Sequence, residues 1–189
     1  MSTGETKNIT GSLELTDKYQ TTIYNDIVII NGAVITLFDP AGEIFTDKGD
    51  DTVTVTDTTI TCSSQTGTEL MFSMGSDNDA LTITNSTLNV DTFMGSGNDS
   101  ILVSGTPQNQ VNINKKFSLG SGDDTLTLGA QLTGAGTLIF GDGNDTLVFD
   151  GGSLLTTGEG FTDLENLVVK AAGGNLNQGM RLTGEKTSI

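Results

Sequence analysis

Short runs in which every second residue is apolar follow one another along most of the chain, each entered through a turn rich in Gly, Asn and Asp. MGSDNDALTI from Met74, MGSGNDSILV from Met94, LGSGDDTLTL from Leu119 and FGDGNDTLVF from Phe140 are near-copies. The acid that closes each turn sets a register: Asp26, Asp51, Asp79, Asp99, Asp124, Asp145 and, by a conservative exchange, Glu165, at intervals of 20–28 residues. Two and four residues beyond these acids stand Val28 and Ile30, Val53 and Val55, Leu81 and Ile83, Ile101 and Val103, Leu126 and Leu128, Leu147 and Phe149, Leu167 and Val169. All are apolar in a chain that is 34% apolar, so chance does not explain the register.

A period of two predicts a strand with one buried face. The intervening positions are mostly small or Thr, as at Thr52 and Thr54, Ala80 and Thr82, Thr125 and Thr127, which suits an exposed strand surface. An apolar pair precedes several turns (Phe72/Met74, Phe117/Leu119, Leu138/Phe140), and a further pulse follows about nine residues after the acid (Ile60, Leu88, Leu132, Leu154). Two or three short strands per repeat make one coil of a solenoid. The predicted fold is therefore all-β: a parallel β-solenoid of about seven coils with one Gly/Asp-rich turn per coil. A sandwich of hairpins would not require the same residue type at the same place in every repeat. No helical period is present, and Gly is too frequent for one.

The expected organisation is an N-terminal cap or linker over 1–22, the solenoid over 23–179, and a C-terminal cap or tail over 180–189. In the first coil the outward positions are Ile27 and Ile29 rather than Thr. These call for cover from the segment Ser12–Tyr19 or from a partner.

Charge narrows the function classes. Asp and Glu number 24 against 8 Lys and Arg, a net charge of −16, with no His and a single Arg, Arg181. Only the pair Lys115–Lys116 resembles a basic patch, which argues against nucleic acid and against an anionic membrane surface. No apolar run reaches the length a membrane helix requires. Cys62 has no second cysteine to pair with, and its place in a strand predicts a small apolar core side chain. MSTGETKNIT lacks the basic and apolar regions of a secretory leader, and the abrupt start in acidic repeats favours a piece of a longer protein.

Stacking places the acids in a column. Two unit charges one coil apart, about 4.8 Å, repel by about 0.9 kcal/mol in water and about 3.5 kcal/mol at an effective dielectric of 20. Asp50, Asp77, Asp123 and Asp142 double the column in places. Two answers to this repulsion stay open. A Ca²⁺ ion takes six to eight oxygens from carboxylates, Asn and backbone carbonyls. Alternatively, Asn and Asp bond the local backbone, and a stack such as Asn78/Asn98/Asn144 is purely structural.

The turns resemble the RTX, or haemolysin-type, calcium repeat G-G-x-G-x-D-x-U-x, where U is large and apolar. Gly95–Ile101, Gly120–Leu126 and Gly141–Leu147 match from the second glycine onward. Gly75–Leu81 matches with Asp77 in place of a glycine, and Asp47–Val53 is a degenerate copy. The first glycine is replaced by Met94, Leu119 or Phe140. One turn per 20–28 residues, where the family usually places two per coil, looks more like a three-sided helix, similar to autotransporter passengers and other bacterial surface proteins. The resemblance implies Ca²⁺ as cofactor, held by one ladder drawn from Asp51, Asp77, Asp79, Gly95, Gly97, Asn98, Asp99, Gly120, Gly122, Asp123, Asp124, Gly141, Asp142, Gly143, Asn144 and Asp145.

An enzyme is not expected. Every repeat carries the same acids, adjacent strand residues point to opposite faces, and the absence of His removes the usual base and zinc ligand. The expected role is a non-enzymatic, calcium-stabilised structural or adhesive module of a secreted or cell-surface bacterial protein. The alternatives are a polysaccharide-active or glycan-binding β-helix, or an ice-binding repeat protein, whose hydroxyl array is here interrupted by Leu102 and Val148. Expected partners are a surface glycan or protein receptor and further copies meeting end to end or edge to edge, with no nucleic acid and no membrane insertion.

Overall fold

A computed structural model describes residues 4–38, 42–63, 71–106, 110–134, 136–156, 161–170, 175–176 and 182–183. The predicted solenoid is present. The chain winds through about six turns of parallel strand, and the described residues contain no helix, hence none long and apolar enough to cross a membrane.

Each complete coil has three strands, one on each of three faces. The acid turn leads onto the first face, built from Thr52–Thr56, Ala80–Thr84, Ser100–Ser104, Thr125–Leu128, Thr146–Phe149 and Asn166–Val169. The second face holds Thr59–Ser63, Thr87–Asn89, Val111–Ile113, Gln131–Gly134, Ser153–Thr156 and Asn175–Leu176. The third carries each coil back to the next acid turn, through Met71–Ser76, Asp91–Ser96, Phe117–Ser121, Leu138–Asp142, Phe161–Thr162 and Leu182–Thr183.

Four N-terminal strands begin the stack: β1 (Thr6–Leu15), β2 (Lys18–Gln20), β3 (Ile27–Phe38) and β4 (Glu43–Phe45). β3 is long enough to run along both the first and second faces, and so joins them into one sheet. It turns the corner near Gly32, whose φ of 60° belongs to the left-handed region that glycine tolerates. β1 lies parallel to β3 along its length, and β2 lies parallel to β4. The N-terminal segment expected to act as a cap is thus laid down in the solenoid's own register. Of the expected C-terminal tail, only Leu182–Thr183 lies within the described residues, parallel to Phe161–Thr162.

The predicted register holds residue for residue. Val53 pairs with Leu81, Leu81 with Ile101, Ile101 with Leu126, Leu126 with Leu147 and Leu147 with Leu167. From Val28 to Leu147 these inward residues are buried and share one core with Met74, Met94, Leu119 and Phe140 from the third face and Ile60, Leu88, Leu132 and Leu154 from the second. Leu167 packs against that core while partly buried. Ile27 and Ile29 face outward, as the alternation predicts, but the segment Ser12–Tyr19 does not supply the expected cover: it lies along Val34–Leu37 and Glu43–Phe45 in the stack, and both isoleucines stay exposed. Cys62 is half-buried against the core, and its thiol points to the Asn89 carbonyl.

Candidate functional site: an acid ladder and its counter-ladder

Parity decides where the acids point. Each register acid stands two residues before an inward apolar residue, so its side chain faces inward as well. Asp26, Asp51, Asp79, Asp99, Asp124 and Asp145 are all buried to 2% exposure or less. Charge alone would keep such groups at the surface. A hydrogen bond to the neighbouring coil is what holds them inside.

The Asp26 amide donates to Asp51 Oδ1 at 2.7 Å, Asp51 to Asp79 at 2.8 Å, and Asp79 to Asp99 at 2.8 Å. Asp99 donates to Asp124 at 2.8 Å, Asp124 to Asp145 at 2.8 Å, and Asp145 to Glu165 Oε2 at 2.9 Å. Each carboxylate therefore captures the amide of the coil on its N-terminal side. At that corner the amide would otherwise lack a strand partner, and a buried unpaired amide costs about 1–3 kcal/mol.

The preceding residues form a second ladder on the outer side of the same turn. The Asp50 amide donates to Asn25 Oδ1 at 3.2 Å, Asn78 to Asp50 at 2.9 Å, and Asn98 to Asn78 at 2.8 Å. Asp123 donates to Asn98 at 2.9 Å and Asn144 to Asp123 at 3.0 Å. Here each amide donates toward the N-terminal coil's side chain, opposite in sense to the inner ladder. Adjacent coils are thus tied in both directions within two residues.

Glycine makes the turn dense enough for this. Gly97, Gly122 and Gly143 have φ of 134°, 127° and 149°, and Gly95, Gly120 and Gly141 have φ of 118°, 118° and 108°. A β-carbon on Gly120 would stand 1.9 Å from the Gly95 carbonyl oxygen, closer than non-bonded atoms approach. Asp77 takes the place of the second glycine with φ of 82°. It is exposed, and its carboxylate accepts the Gly49 amide at 3.2 Å. The exposed Asp142 contributes its backbone carbonyl to the Gly122 amide at 2.8 Å.

The residues expected to form one cation ladder therefore divide. Asp51, Asp79, Asp99, Asp124 and Asp145 line the interior; Asn98, Asp123 and Asn144 form the exposed ladder; Asp77 and Asp142 sit on the turn surface; and the glycines supply close-packed backbone. Among the described residues no three Asp or Glu side chains converge as a ready-made metal cluster.

One oxygen of each inner carboxylate is left over. Oδ2 of Asp51, Asp79, Asp99, Asp124 and Asp145 is buried without a hydrogen-bond partner. Burial accordingly pushes these acids up, against the lowering effect of the amide each one accepts. Asp51, Asp99, Asp124 and Asp145 are raised to about 6 and Asp79 to about 8. Asp79 stands highest because the charges of Asp99, Asp51 and Asp50 add to its burial.

Asp26, unlike the inner acids that follow it, has both carboxylate oxygens hydrogen-bonded. Asp26 accepts the Glu5 amide at 2.5 Å, the Thr22 amide at 2.8 Å and the Thr22 hydroxyl at 2.9 Å. Burial raises its carboxyl, but hydrogen bonds from Glu5, Thr21 and Thr22 outweigh that and hold it below the usual value. Glu5 occupies the register position one coil earlier, since its carbonyl receives the Ile27 amide just as Asp26 receives that of Thr52. The repeat pattern does not reveal Glu5: it has no glycine turn, and Lys7 stands where an apolar residue would. Its carboxylate pairs with Lys7 at 2.9 Å.

Comparison with family models, curated proteins and solved structures finds no match for this chain.

Proposed function

We propose that the protein is a non-enzymatic structural module, a stiff rod or spacer in a secreted or cell-surface bacterial protein, with Ca²⁺ supplying the counter-charge for its acid column. The observation that carries this reading is the column of five buried, unpartnered carboxylate oxygens, one in each of five successive coils. A structural role accounts for the same acid in every coil, each holding its neighbour's backbone. A catalytic pair would single out one level. Once deprotonated, the leftover oxygens are hard anionic donors of the type Ca²⁺ selects; at Asp79, raised to about 8, the ion would displace a proton. The inner acids Asp51, Asp79, Asp99, Asp124 and Asp145 would hold the ion through these leftover oxygens. Its contribution would be charge neutralisation between coils, with no part in bond making or breaking.

Melting the protein at pH 7.5 in EDTA and in millimolar Ca²⁺, with calorimetric titration, tests this. The expected result is saturable binding and a higher melting temperature in Ca²⁺. No binding and coincident melts would leave the module reading without its cation.

A further inference from the structure

Two Asp–Gly pairs occur in the chain, Asp142–Gly143 and Asp150–Gly151. They are identical as dipeptides and differ in their surroundings. Asp142–Gly143 belongs to the acid turn. The peptide group the two residues share is anchored, since the Asp142 carbonyl accepts the Gly122 amide at 2.8 Å. Gly143 is packed against the preceding coil, where a β-carbon would stand 1.9 Å from the Gly122 carbonyl oxygen.

Asp150–Gly151 lies between the first-face strand Thr146–Phe149 and the second-face strand Ser153–Thr156. This corner is a small hump pinned at its feet. The Asp150 amide donates to the Leu128 carbonyl at 2.9 Å, and the Gly152 amide donates to the same carbonyl at 3.0 Å. Between those feet, neither the Asp150 carbonyl nor the Gly151 amide has a hydrogen-bond partner among the described residues. A β-carbon on Gly151 would meet nothing within 4 Å, and its φ is 85°. Both residues are exposed. The Asp150 carboxylate meets Lys170 at 2.8 Å in an exposed ion pair, which is too weak to lock the side chain.

We propose that Asp150–Gly151 is a self-modifying site, at which aspartate converts to isoaspartate. The Gly151 amide nitrogen attacks Cγ of the neutral Asp150 carboxyl. A new N–Cγ bond closes a five-membered succinimide, and the carboxyl hydroxyl leaves with the amide proton as water. Water then adds back to the ring. Breaking the N–Cγ bond restores aspartate. Breaking the bond between that nitrogen and the Asp150 main-chain carbonyl carbon leaves the chain running through Cγ, with a free α-carboxylate.

Three conditions for ring closure meet at this corner: an unbonded amide nucleophile, no side chain on the residue that carries it, and a peptide group free to rotate. Asp142 fails the last, because its carbonyl is held and its glycine is close-packed. The other succinimide-prone pair, Asn31–Gly32, lies inside β3, between β1 and the strand Thr52–Thr56. The product adds one main-chain atom to the hump, and the two bonds to Leu128 confine that extra length to the corner. Its α-carboxylate is the group that an isoaspartyl methyltransferase esterifies.

The whole protein, kept for weeks in mildly acidic buffer at body temperature, is digested and mapped by mass spectrometry, with enzymatic methyl transfer marking isoaspartate. Isoaspartate is expected at Asp150 about tenfold or more faster than at Asp142, whose peptide group must first release a hydrogen bond. In denaturant the two rates should converge. Asp150→Asn should close the ring faster, with ammonia as leaving group, and is read as a gain of mass at that residue; a melting curve like that of wild type verifies that it folds. Equal rates at the two pairs in the folded protein, a preference for Asp150 that denaturant leaves unchanged, or an Asp150→Asn variant that keeps its amide would each overturn the proposal.

Discussion

Asp99→Asn separates the two ways in which an inner acid acts on the solenoid. The folded protein raises Asp99 to about 6 from an ordinary value of 3.8. A raised acid binds its proton more tightly when folded. Its neutral form is therefore favoured by folding below pH 3.8, the advantage fades between 3.8 and about 6, and above that the charged group is a constant burden of about 3 kcal/mol. Asparagine keeps an oxygen for the Asp79 amide and has no charge. Its amide nitrogen enters a site where Oδ2 has no partner, and an unsatisfied donor there costs about 1–3 kcal/mol. The balance is a gain of about 0–2 kcal/mol at pH 7.5 in chelator, a rise of up to several degrees in melting temperature for a chain of this size. At pH 4 the wild-type group is already protonated, so the gain disappears. Melting curves followed by circular dichroism at both pH values supply the measurement. A variant destabilised at pH 7.5 in EDTA as severely as Asp99→Ala would refute the account of Asp99 as a desolvated, charge-burdened hydrogen-bond acceptor. Under the proposed Ca²⁺ binding, the same substitution in Ca²⁺ should lose part of the ion's stabilisation and so gain less over wild type than in EDTA.

Two further substitutions probe the ends and the backbone of the ladder. Asp26 is held below its usual value by Glu5, Thr21 and Thr22, so its stabilisation is present above pH 3.8 and lost as pH falls through its folded value; Asp26→Asn should therefore destabilise at pH 7.5, opposite in sign to Asp99→Asn under identical melts. Gly120→Ala places a methyl 1.9 Å from the Gly95 carbonyl oxygen at a φ of 118°; thermal or urea unfolding should show a loss of about 3 kcal/mol or more.

Most of the fold was legible because the same constraint recurs at every level. Val53, Leu81, Ile101, Leu126 and Leu147 must lie above one another, and their shared offset from an acid exposes the stacking direction. The inward course of the acids was legible too, since Asp99, Ile101 and Val103 share parity; counting carboxylates as a turn-surface charge array obscured it. What the pattern did not reveal depends on contacts between coils. The opposite sense of the two ladders follows from which amide each side chain reaches. Glu5 escaped notice because its level lacks the glycine bend and has Lys7 where the other levels have an apolar residue. The hydrogen bonds on Asp26 likewise join Glu5 and Thr22, whose roles appear only when two successive coils are assembled.

The two ladders make coils interchangeable in a genetic sense. Each level from Asp26 to Asp145 presents a carboxylate toward one neighbour and an Asn or Asp side chain toward the other, through the same few turn residues. Successive register acids joined by these bonds are 25, 28, 20, 25, 21 and 20 residues apart, so the junction accepts coils of unequal length. A duplicated or deleted coil leaves the joints above and below it matched. Such a gene can lengthen or shorten its product one storey at a time, provided the acid, the Asx residue before it and the glycine bend travel together.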